Sequence, residues 1–150
     1  HVLKFLYKSE EMSNSGINFF GGFILEKEDE ENLGLLNLKH TGTLPLVESI
    51  RLYSIKYGIT NVSTLGRLKG LKEKGVFTED EHSFFKSAFR FLSDILLKNQ
   101  VERAKQGKVI KNFIDPKKLL DLDKQLLKIY LKKIKNLKER ARGDFGEEYF

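Results

Sequence analysis

The strongest constraint on the fold is a long amphipathic stretch that begins at Thr78 and runs to Gly107. Glu81 follows Thr78 at the spacing of a capping box, in which each residue's side chain bonds the other's backbone N–H. Gly107 supplies a helix end. The apolar residues between them, at three- and four-residue steps, are Phe84, Phe85, Ala88, Phe89, Leu92, Ile95, Leu96 and Val101. A helix this long needs partners to cover its apolar face, so the pattern predicts a helix bundle.

A second long helix is predicted towards the C-terminus. Asp115-Pro116 combines an N-cap residue with proline at the first helical position. The apolar residues that follow at helical spacing are Leu119, Leu122, Leu126, Leu127, Tyr130, Ile134, Leu137 and Ala141. We expect Asp121 or Asp123 to cap the helix again after a kink near Leu120, and Gly143 to end it.

Two shorter helices are predicted between Pro45 and Gly75. Pro45 suits a first helical turn, and Gly58 offers a left-handed helix end. The predicted buried face of this helix comprises Leu46, Val47, Ile50, Ser54 and Tyr57. Ser63 or Thr64 can cap the next helix, which Gly75 closes. Its predicted buried stripe comprises Leu65, Leu68 and Leu71.

The N-terminal region predicts a β-hairpin packed on the helices. Ile17–Leu25 is aromatic and β-branched, Glu28–Asn32 is an acidic turn, and Leu33–Leu38 is a second apolar run. The whole pattern is mainly α: a four-helix-bundle-like domain with a small N-terminal β-hairpin, formed by residues 1–150 as a single domain. Because the chain begins at His1 in an amphipathic helical pattern, we expect it to be a piece of a longer protein.

Composition excludes several classes of site. The 150 residues include no cysteine, which excludes disulfides and thiolate metal sites, and a reducing cytoplasm is the expected location. No apolar run approaches the roughly 20 residues that cross a bilayer, so we expect no membrane contact. The three histidines, His1, His40 and His82, have no metal-ligand spacing, so no metal site is expected. No serine elbow motif is present either, and we predict no catalytic residue.

Charge is unevenly distributed along the chain. Residues 1–36 hold three Lys and seven Asp/Glu, net −4, whereas residues 98–142 hold 15 Lys/Arg and five Asp/Glu, net +10. A basic helix can bind nucleic acid. Here the lysines alternate with a regular apolar stripe and lack interleaved aromatics, which is typical of a solvated outer face. The Asp121-x-Asp123 pair could hold magnesium, but two acids at a helix start are typical of the helix dipole.

Three basic residues near the two shorter helices, Lys39, Arg51 and Arg67, are candidates to converge on an anion. The alternative is that each arginine lays its stem over the core and keeps its head in water. A further alternative is an intrahelical pair between Glu48 and Arg51 that only stiffens the helix. Gln100 is a polar residue beside the stripe of the long helix, and is a candidate for a buried hydrogen bond.

Several motifs occur together in a fixed order: Leu38-Lys39, Gly42, Pro45-Leu46-Val47-Glu48, Arg51, Thr64-Leu65-Gly66-Arg67-Leu68, Ala88-Phe89, Gln100 and Asn112-Phe113-Ile114-Asp115-Pro116. Through them the sequence resembles the nucleotidyltransferase substrate-binding domain, from about Phe5 to Phe145. That family is the C-terminal helical module of bacterial signal-transduction proteins. A cyclic-nucleotide-binding or CBS-pair region and a nucleotidyltransferase-like domain precede it there.

The resemblance implies a non-catalytic module that packs on the nucleotidyltransferase-like domain of the same polypeptide and forms one wall of its substrate cleft. It implies that magnesium and a nucleoside triphosphate bind with the partner domain, and that no cofactor binds this chain. The substrate-binding residues that it implies are Lys39, Arg51, Thr64, Arg67 and Gln100. They would face a nucleotide phosphate or an acidic acceptor.

Two positions depart from the family pattern. Asn37 stands where the family usually has Asp, and Leu96 stands where it usually has Arg. If these two groups help hold a polar ligand, this chain binds that ligand more weakly or binds a different one. A protein-interaction or homodimerisation bundle, using the hairpin and the aromatic tail, is the second hypothesis. A nucleic-acid-binding bundle is the third, and the one that the sequence favours least.

Overall fold

The computed structural model describes residues 22–27, 32–109 and 111–146. Within them the chain forms four α-helices: α1 (Leu44–Lys56), α2 (Thr64–Glu73), α3 (Glu79–Lys105) and α4 (Asp121–Phe145). Two short strands, β1 (Leu36–Asn37) and β2 (Phe113–Ile114), form an antiparallel pair. This confirms the predicted fold class, mainly α with four helices and a small antiparallel pair at the N-terminal side.

The strand pair joins two distant parts of the chain. Leu36 lies opposite Ile114, and the Leu38 N–H extends the pairing by donating to the Asn112 carbonyl at 3.0 Å. The sequence did not predict β2. Most of the first predicted strand, Ile17–Leu25, lies outside the described residues. Just after it, the Glu26 N–H donates to the Leu35 carbonyl at 2.8 Å. The chain at Glu26 is therefore hydrogen-bonded to the second predicted strand, Leu33–Leu38.

Helix starts follow local side-chain chemistry. The Ser63 hydroxyl accepts from the Gly66 N–H at 3.0 Å and caps α2. The capping box of α3 is complete, since the Thr78 hydroxyl accepts from the Glu81 N–H and the Glu81 carboxylate accepts from the Thr78 N–H, both at 3.1 Å. These two predictions are confirmed.

The last helix differs from its prediction at both ends. Asp115 caps only a short 3-10 helix, Pro116–Lys118, and α4 starts at Asp121 after an N-cap, Leu120, that makes no side-chain bond. Renewed capping by Asp121 or Asp123 was therefore wrong, although both acids lie in the first turn. Gly143 stays helical, and Gly146, with φ of 70°, follows the end of the helix instead.

The core is formed by one face of each helix together with β1 and β2. On α1 the buried face includes Tyr53, which is 1% exposed. Tyr57 was predicted to be buried but is exposed, so the predicted face was wrong at its C-terminal end. Val101 and Leu122 were also predicted as core and are exposed, Leu122 by 70%. The largest fully buried side chains are Tyr53, Phe77, Leu36, Leu38, Leu46, Ile50, Leu68, Leu71, Leu92, Leu127, Leu131 and Ile134.

A π-helical turn, Lys39–Thr43, leads directly into α1 and crosses both long helices. Gly42 lies in this turn and is buried. A Cβ built on Gly42 would lie 3.0 Å from Leu131 Cδ2 on α4 and 3.2 Å from Leu92 Cδ1 on α3. Glycine is therefore the residue that lets the turn approach both helices closely.

Candidate functional site

A cleft of about 310 Å³ lies between the start of α3 and the second half of α4. Its lining combines an apolar floor with charged and amide groups. The lining residues are Asp80, Glu81, Phe84, Phe85, Lys133, Asn136, Leu137 and Arg140. Its volume is at the lower end of the range for small-molecule sites in proteins.

Arg140 is the best-connected side chain of the cleft. Its Nη1 donates to Glu81 Oε2 at 2.5 Å, and its Nη2 donates to the Val76 carbonyl at 3.4 Å. The guanidinium carbon lies 5.4 Å from the ring centre of Tyr53 and 5.3 Å from that of Phe77. Arg140 therefore ties α4 to α1, to the start of α3 and to the segment that precedes it.

Tyr53 lies beneath Arg140. Its hydroxyl donates to the Asp144 carboxylate one turn further along α4. The ring also meets Phe77 edge-on at 5.5 Å. Burial, and then the hydrogen bond to Asp144, raise the pKa of the Tyr53 hydroxyl. Tyr53 therefore stays a neutral hydrogen-bond donor at physiological pH.

The ion pair between Glu81 and Arg140 fixes the charge of both groups. Burial works against ionisation of Glu81, but the Thr78 N–H and Arg140 more than offset it and lower the pKa of Glu81. Burial likewise opposes the charge on Arg140, and Glu81 more than offsets it, raising the pKa of the guanidinium. Both side chains are thus held charged and are already hydrogen-bonded to protein.

An aromatic wall closes the apolar side of the cleft. The Phe84 ring meets Phe85 edge-on at 5.8 Å and Tyr130 of α4 at 5.3 Å. Phe85 is buried, whereas Phe84 is only half-buried and so offers ring surface to a ligand. Because rings on both sides support Phe84, the wall is formed before any ligand arrives.

The five predicted substrate-binding residues do not line this cleft. Lys39 is exposed in the π-helical turn before α1. Gln100 is half-buried on α3 and donates to Asn112 Oδ1 at 3.4 Å, which confirms a hydrogen bond at this position. The Asn112 carbonyl also accepts from the N–H of Leu38, the residue before Lys39. Lys39 and Gln100 therefore both lie near Asn112, at the same end of the molecule.

Thr64 and Arg67 lie towards the opposite end of α1. Arg67 Nε donates to the Asn61 carbonyl at 3.0 Å, so this arginine holds the loop between α1 and α2. Thr64 begins α2 and is half-buried. Arg51 is exposed between the two ends, and no ion pair joins it to Glu48 in the described part of the chain. Of the five residues, only Thr64 and Arg67 are neighbours, one turn apart on α2, and no hydrogen bond or ion pair between side chains joins any two of them in the described part of the chain. Their role in binding stays a prediction.

Comparison with known families decides the classification. The family model named Putative nucleotidyltransferase substrate binding domain matches residues 1–145, nearly the full length of the chain. The chain belongs to this family. No curated protein and no solved structure matched it. The family's name describes a substrate-binding domain, not a catalytic one.

The two positions that we expected to depart from the family pattern, Asn37 and Leu96, have local structural roles. Asn37 Oδ1 accepts from the His40 N–H at 3.2 Å and so caps the π-helical turn. An aspartate at this position could accept the same hydrogen bond from the His40 N–H. Asparagine and aspartate are therefore equivalent for this contact. Leu96 is 8% exposed and lies on the side of α3 that packs in the hydrophobic core. In this family member the position therefore supplies apolar packing.

The described residues include no group of three or more His, Cys, Asp or Glu side chains that could hold a metal ion. The Oδ1 atom of Asp121 lies 3.9 Å from the Nζ atom of Lys124, so Asp121 forms an ion pair within its own helix. Among the helices that the structure describes, none is both long and apolar enough to span a membrane.

The cleft residues were not predicted as a site from the sequence, for identifiable reasons. Glu81 was recognised only as half of a capping box, and Phe84 and Phe85 only as core. Lys133 and Arg140 were assigned to a solvated basic face. One available signal was that a capping-box acid has a second oxygen, which in a bundle can reach a cation on a neighbouring helix.

Proposed function

We propose that this chain is a non-catalytic module that binds substrate for a nucleotidyltransferase-like domain of the same polypeptide. The match of residues 1–145 to the substrate-binding family is the observation that carries the proposal. In this arrangement the neighbouring domain holds the nucleoside triphosphate and magnesium and performs the transfer. The helical module positions the molecule that receives or presents the nucleotidyl group.

The cleft between α3 and α4 supports a binding role. It is concave, has a supported aromatic wall, and carries polar groups at its rim. These are the general features of small-molecule sites.

The exposed side of α1 supports a contact with the neighbouring domain. Arg51 and Ile55 lie one turn apart on this side, and Ile55 is 65% exposed. Val62, in the loop after α1, is 87% exposed. Apolar side chains next to a cation are suited to a domain interface, which is typically mixed in polarity. We expect Arg51 to lie at that interface and Lys39, Thr64, Arg67 and Gln100 to lie near its edges.

We place this pair of domains in a bacterial signal-transduction protein that also carries a cyclic-nucleotide-binding or CBS-pair region. The family's description supports only the nucleotidyltransferase part of this arrangement. A regulatory region of this kind would act through the neighbouring domain. The sequence that precedes His1 in the gene product tests it directly.

A reconstitution experiment tests the proposed function. The nucleotidyltransferase-like domain, produced without residues 1–150, is assayed for nucleotidyl transfer with and without the chain added in trans. We expect the chain to bind the domain and to lower its KM for the acceptor about tenfold or more. The chain alone should turn over no nucleotide. A matched variant, Arg51→Glu, should weaken the association, whereas Lys132→Glu on the exposed side of α4 should not.

Three outcomes would contradict this proposal. The first is a gene product without a nucleotidyltransferase signature. The second is an isolated domain that works equally well without the chain. The third is a chain that forms a stable two-fold dimer in light scattering and binds no domain, which would favour the dimerisation hypothesis. Binding to nucleic acid that falls steeply with salt would favour the third hypothesis instead.

A further inference from the structure

We infer that the cleft between α3 and α4 binds a zwitterionic molecule with a flat apolar body, so that it holds the acceptor and not the triphosphate. This inference rests on the proposed function and names the substrate class for it. Three properties of the cleft carry the argument: which of its charges are already paired, what its wall is made of, and how large it is.

Two of the four charged side chains in the lining are already paired. Both oxygens of the Glu81 carboxylate accept hydrogen bonds, one from the Thr78 N–H and one from Arg140. Arg140 also donates to the Val76 carbonyl, and its guanidinium carbon lies over the rings of Tyr53 and Phe77. This pair therefore forms a neutral, structural part of the cleft.

The remaining charged groups have opposite signs. Asp80 lies on the α3 side and Lys133 on the α4 side, and both are exposed. Among the described residues, neither makes a hydrogen bond or ion pair within the chain. Asn136, on α4 one turn before Arg140, adds an amide that can both donate and accept. A ligand with one cationic and one anionic group satisfies Asp80 and Lys133 together.

A triphosphate does not fit this charge distribution. It carries several negative charges, and phosphate sites in proteins typically gather several cations or backbone N–H groups around them. Among the described residues that line the cleft, Lys133 is the one cation without an ion pair, and the same lining carries the unpaired carboxylate of Asp80. Repulsion from Asp80 would offset much of the attraction from Lys133.

The wall and the volume define the body of the ligand. Phe84, Phe85 and Leu137 give the cleft an apolar floor, and the half-buried ring of Phe84 is held in place by Phe85 and Tyr130. An aromatic ring stacks favourably on such a surface. A volume of about 310 Å³ suits a molecule of one or two rings.

The experiment measures binding of four probes to the 150-residue chain by the shifts of backbone and Asn136 side-chain amide signals in two-dimensional NMR. The probes are L-tryptophan, which carries both charges, tryptamine, which carries only the ammonium, indole-3-propionate, which carries only the carboxylate, and ATP. We expect L-tryptophan to bind most tightly, the two singly charged probes about tenfold more weakly each, and ATP to leave the cleft signals unchanged.

Charge-removing variants assign each contact. Asp80→Asn should weaken L-tryptophan and tryptamine about tenfold and leave indole-3-propionate unchanged. Lys133→Gln should weaken L-tryptophan and indole-3-propionate and leave tryptamine unchanged. Lys132→Gln is the matched control, since it removes an exposed lysine next to Lys133 that does not line the cleft. Circular dichroism of each variant verifies that the fold is retained.

Two results would overturn this inference. One is ATP binding that shifts the cleft signals and is abolished by Lys133→Gln, since that would make the cleft a phosphate site. The other is the absence of cleft shifts with any of the three indole probes at millimolar concentration. Either result leaves the reconstitution experiment unaffected, because a chain that activates its neighbour without using this cleft still has the proposed function. Binding of L-tryptophan without activation would support the cleft and contradict the proposed function.

Discussion

Gly42→Ala is predicted to destabilise the protein although alanine is the better helix former. The added Cβ would lie 3.0 Å from Leu131 Cδ2 and 3.2 Å from Leu92 Cδ1. Both leucines are fully buried, so neither has solvent-filled space into which it can move. The perturbation is thus a single methyl group placed where three elements of the bundle meet.

The size of the effect follows from two opposing contributions. Overpacking a core typically costs about 1–3 kcal/mol. Replacing glycine by alanine inside a helix typically gains roughly 0.5–1 kcal/mol. Taking the midpoints of these two ranges, we expect the free energy of unfolding of Gly42→Ala to fall by about 1 kcal/mol. For a chain of this size, the Tm should fall by about 2–4 °C for each kcal/mol.

Gly143→Ala is the matched control because Gly143 is also helical, in α4, but its ideal Cβ would meet no packing neighbour within 4 Å among the described residues. It should gain about 0.5–1 kcal/mol with nothing to oppose it. The assay is urea denaturation followed by far-ultraviolet circular dichroism, with an unchanged dependence on denaturant as the sign of an unchanged unfolding transition. The two variants should therefore move the midpoint in opposite directions.

A double-mutant cycle separates steric crowding from other causes. Leu131→Val removes the δ carbons that the new methyl group would meet. In the double variant Gly42→Ala/Leu131→Val we expect a favourable coupling of roughly 0.5–2 kcal/mol between the two substitutions. Gly42→Ala with wild-type stability, or a double variant whose two effects simply add, would refute the close approach of the turn to α4.

Three further predictions concern the charged groups around α3. Arg140→Ala should lower the free energy of unfolding by about 1–2 kcal/mol, from partly exposed ion pairs with Glu81 and Asp144 and from two cation–π contacts, whereas Lys132→Ala should change it little. Thermal denaturation of both variants measures the difference. Glu81→Gln keeps the capping bond and loses the charge. Because the folded pKa of Glu81 is lowered, the wild-type advantage should be complete above the unfolded value near 4.3 and vanish as pH falls through the folded value. Burial, and then Lys72 and Lys86, lower the pKa of His82, so NMR should give a midpoint below 6.5, and stability should decrease as pH falls through that region.

Local chemistry explains which parts of the fold the sequence could predict. The caps at Ser63 and Thr78 use atoms within three residues of each other, and positive φ at Gly58 and Gly107 follows from the absence of a side chain. These features need no knowledge of the rest of the molecule. The predicted end of α4 was wrong because Gly143 and Gly146 are equally suited, by sequence alone, to end a helix. Only the structure shows Phe145 still helical and packed on Tyr53 at 5.0 Å.

Non-local contacts explain what the sequence could not predict. The pairing of Leu36 with Ile114 and the bond from Arg140 to Glu81 join residues that no periodicity relates. The cleft depends on such contacts, because its two walls come from α3 and α4. The charge distribution of the sequence led to the prediction that Arg140 and Lys133 lie on the same solvated basic face. In the structure Arg140 bonds to Glu81 and to the Val76 carbonyl, whereas the Lys133 side chain makes no hydrogen bond or ion pair with the described residues.

The bond between Tyr53 and Asp144 links α1 to α4 across 91 positions of sequence. A ribosome makes α1 well before α4, so this link cannot close until α4 has been made. Until α4 emerges, α1 has part of its apolar face uncovered, a state in which nascent chains are prone to aggregate and to bind chaperones. Truncations that remove only the final turns of α4 should therefore reduce soluble yield in cells far more than their length suggests.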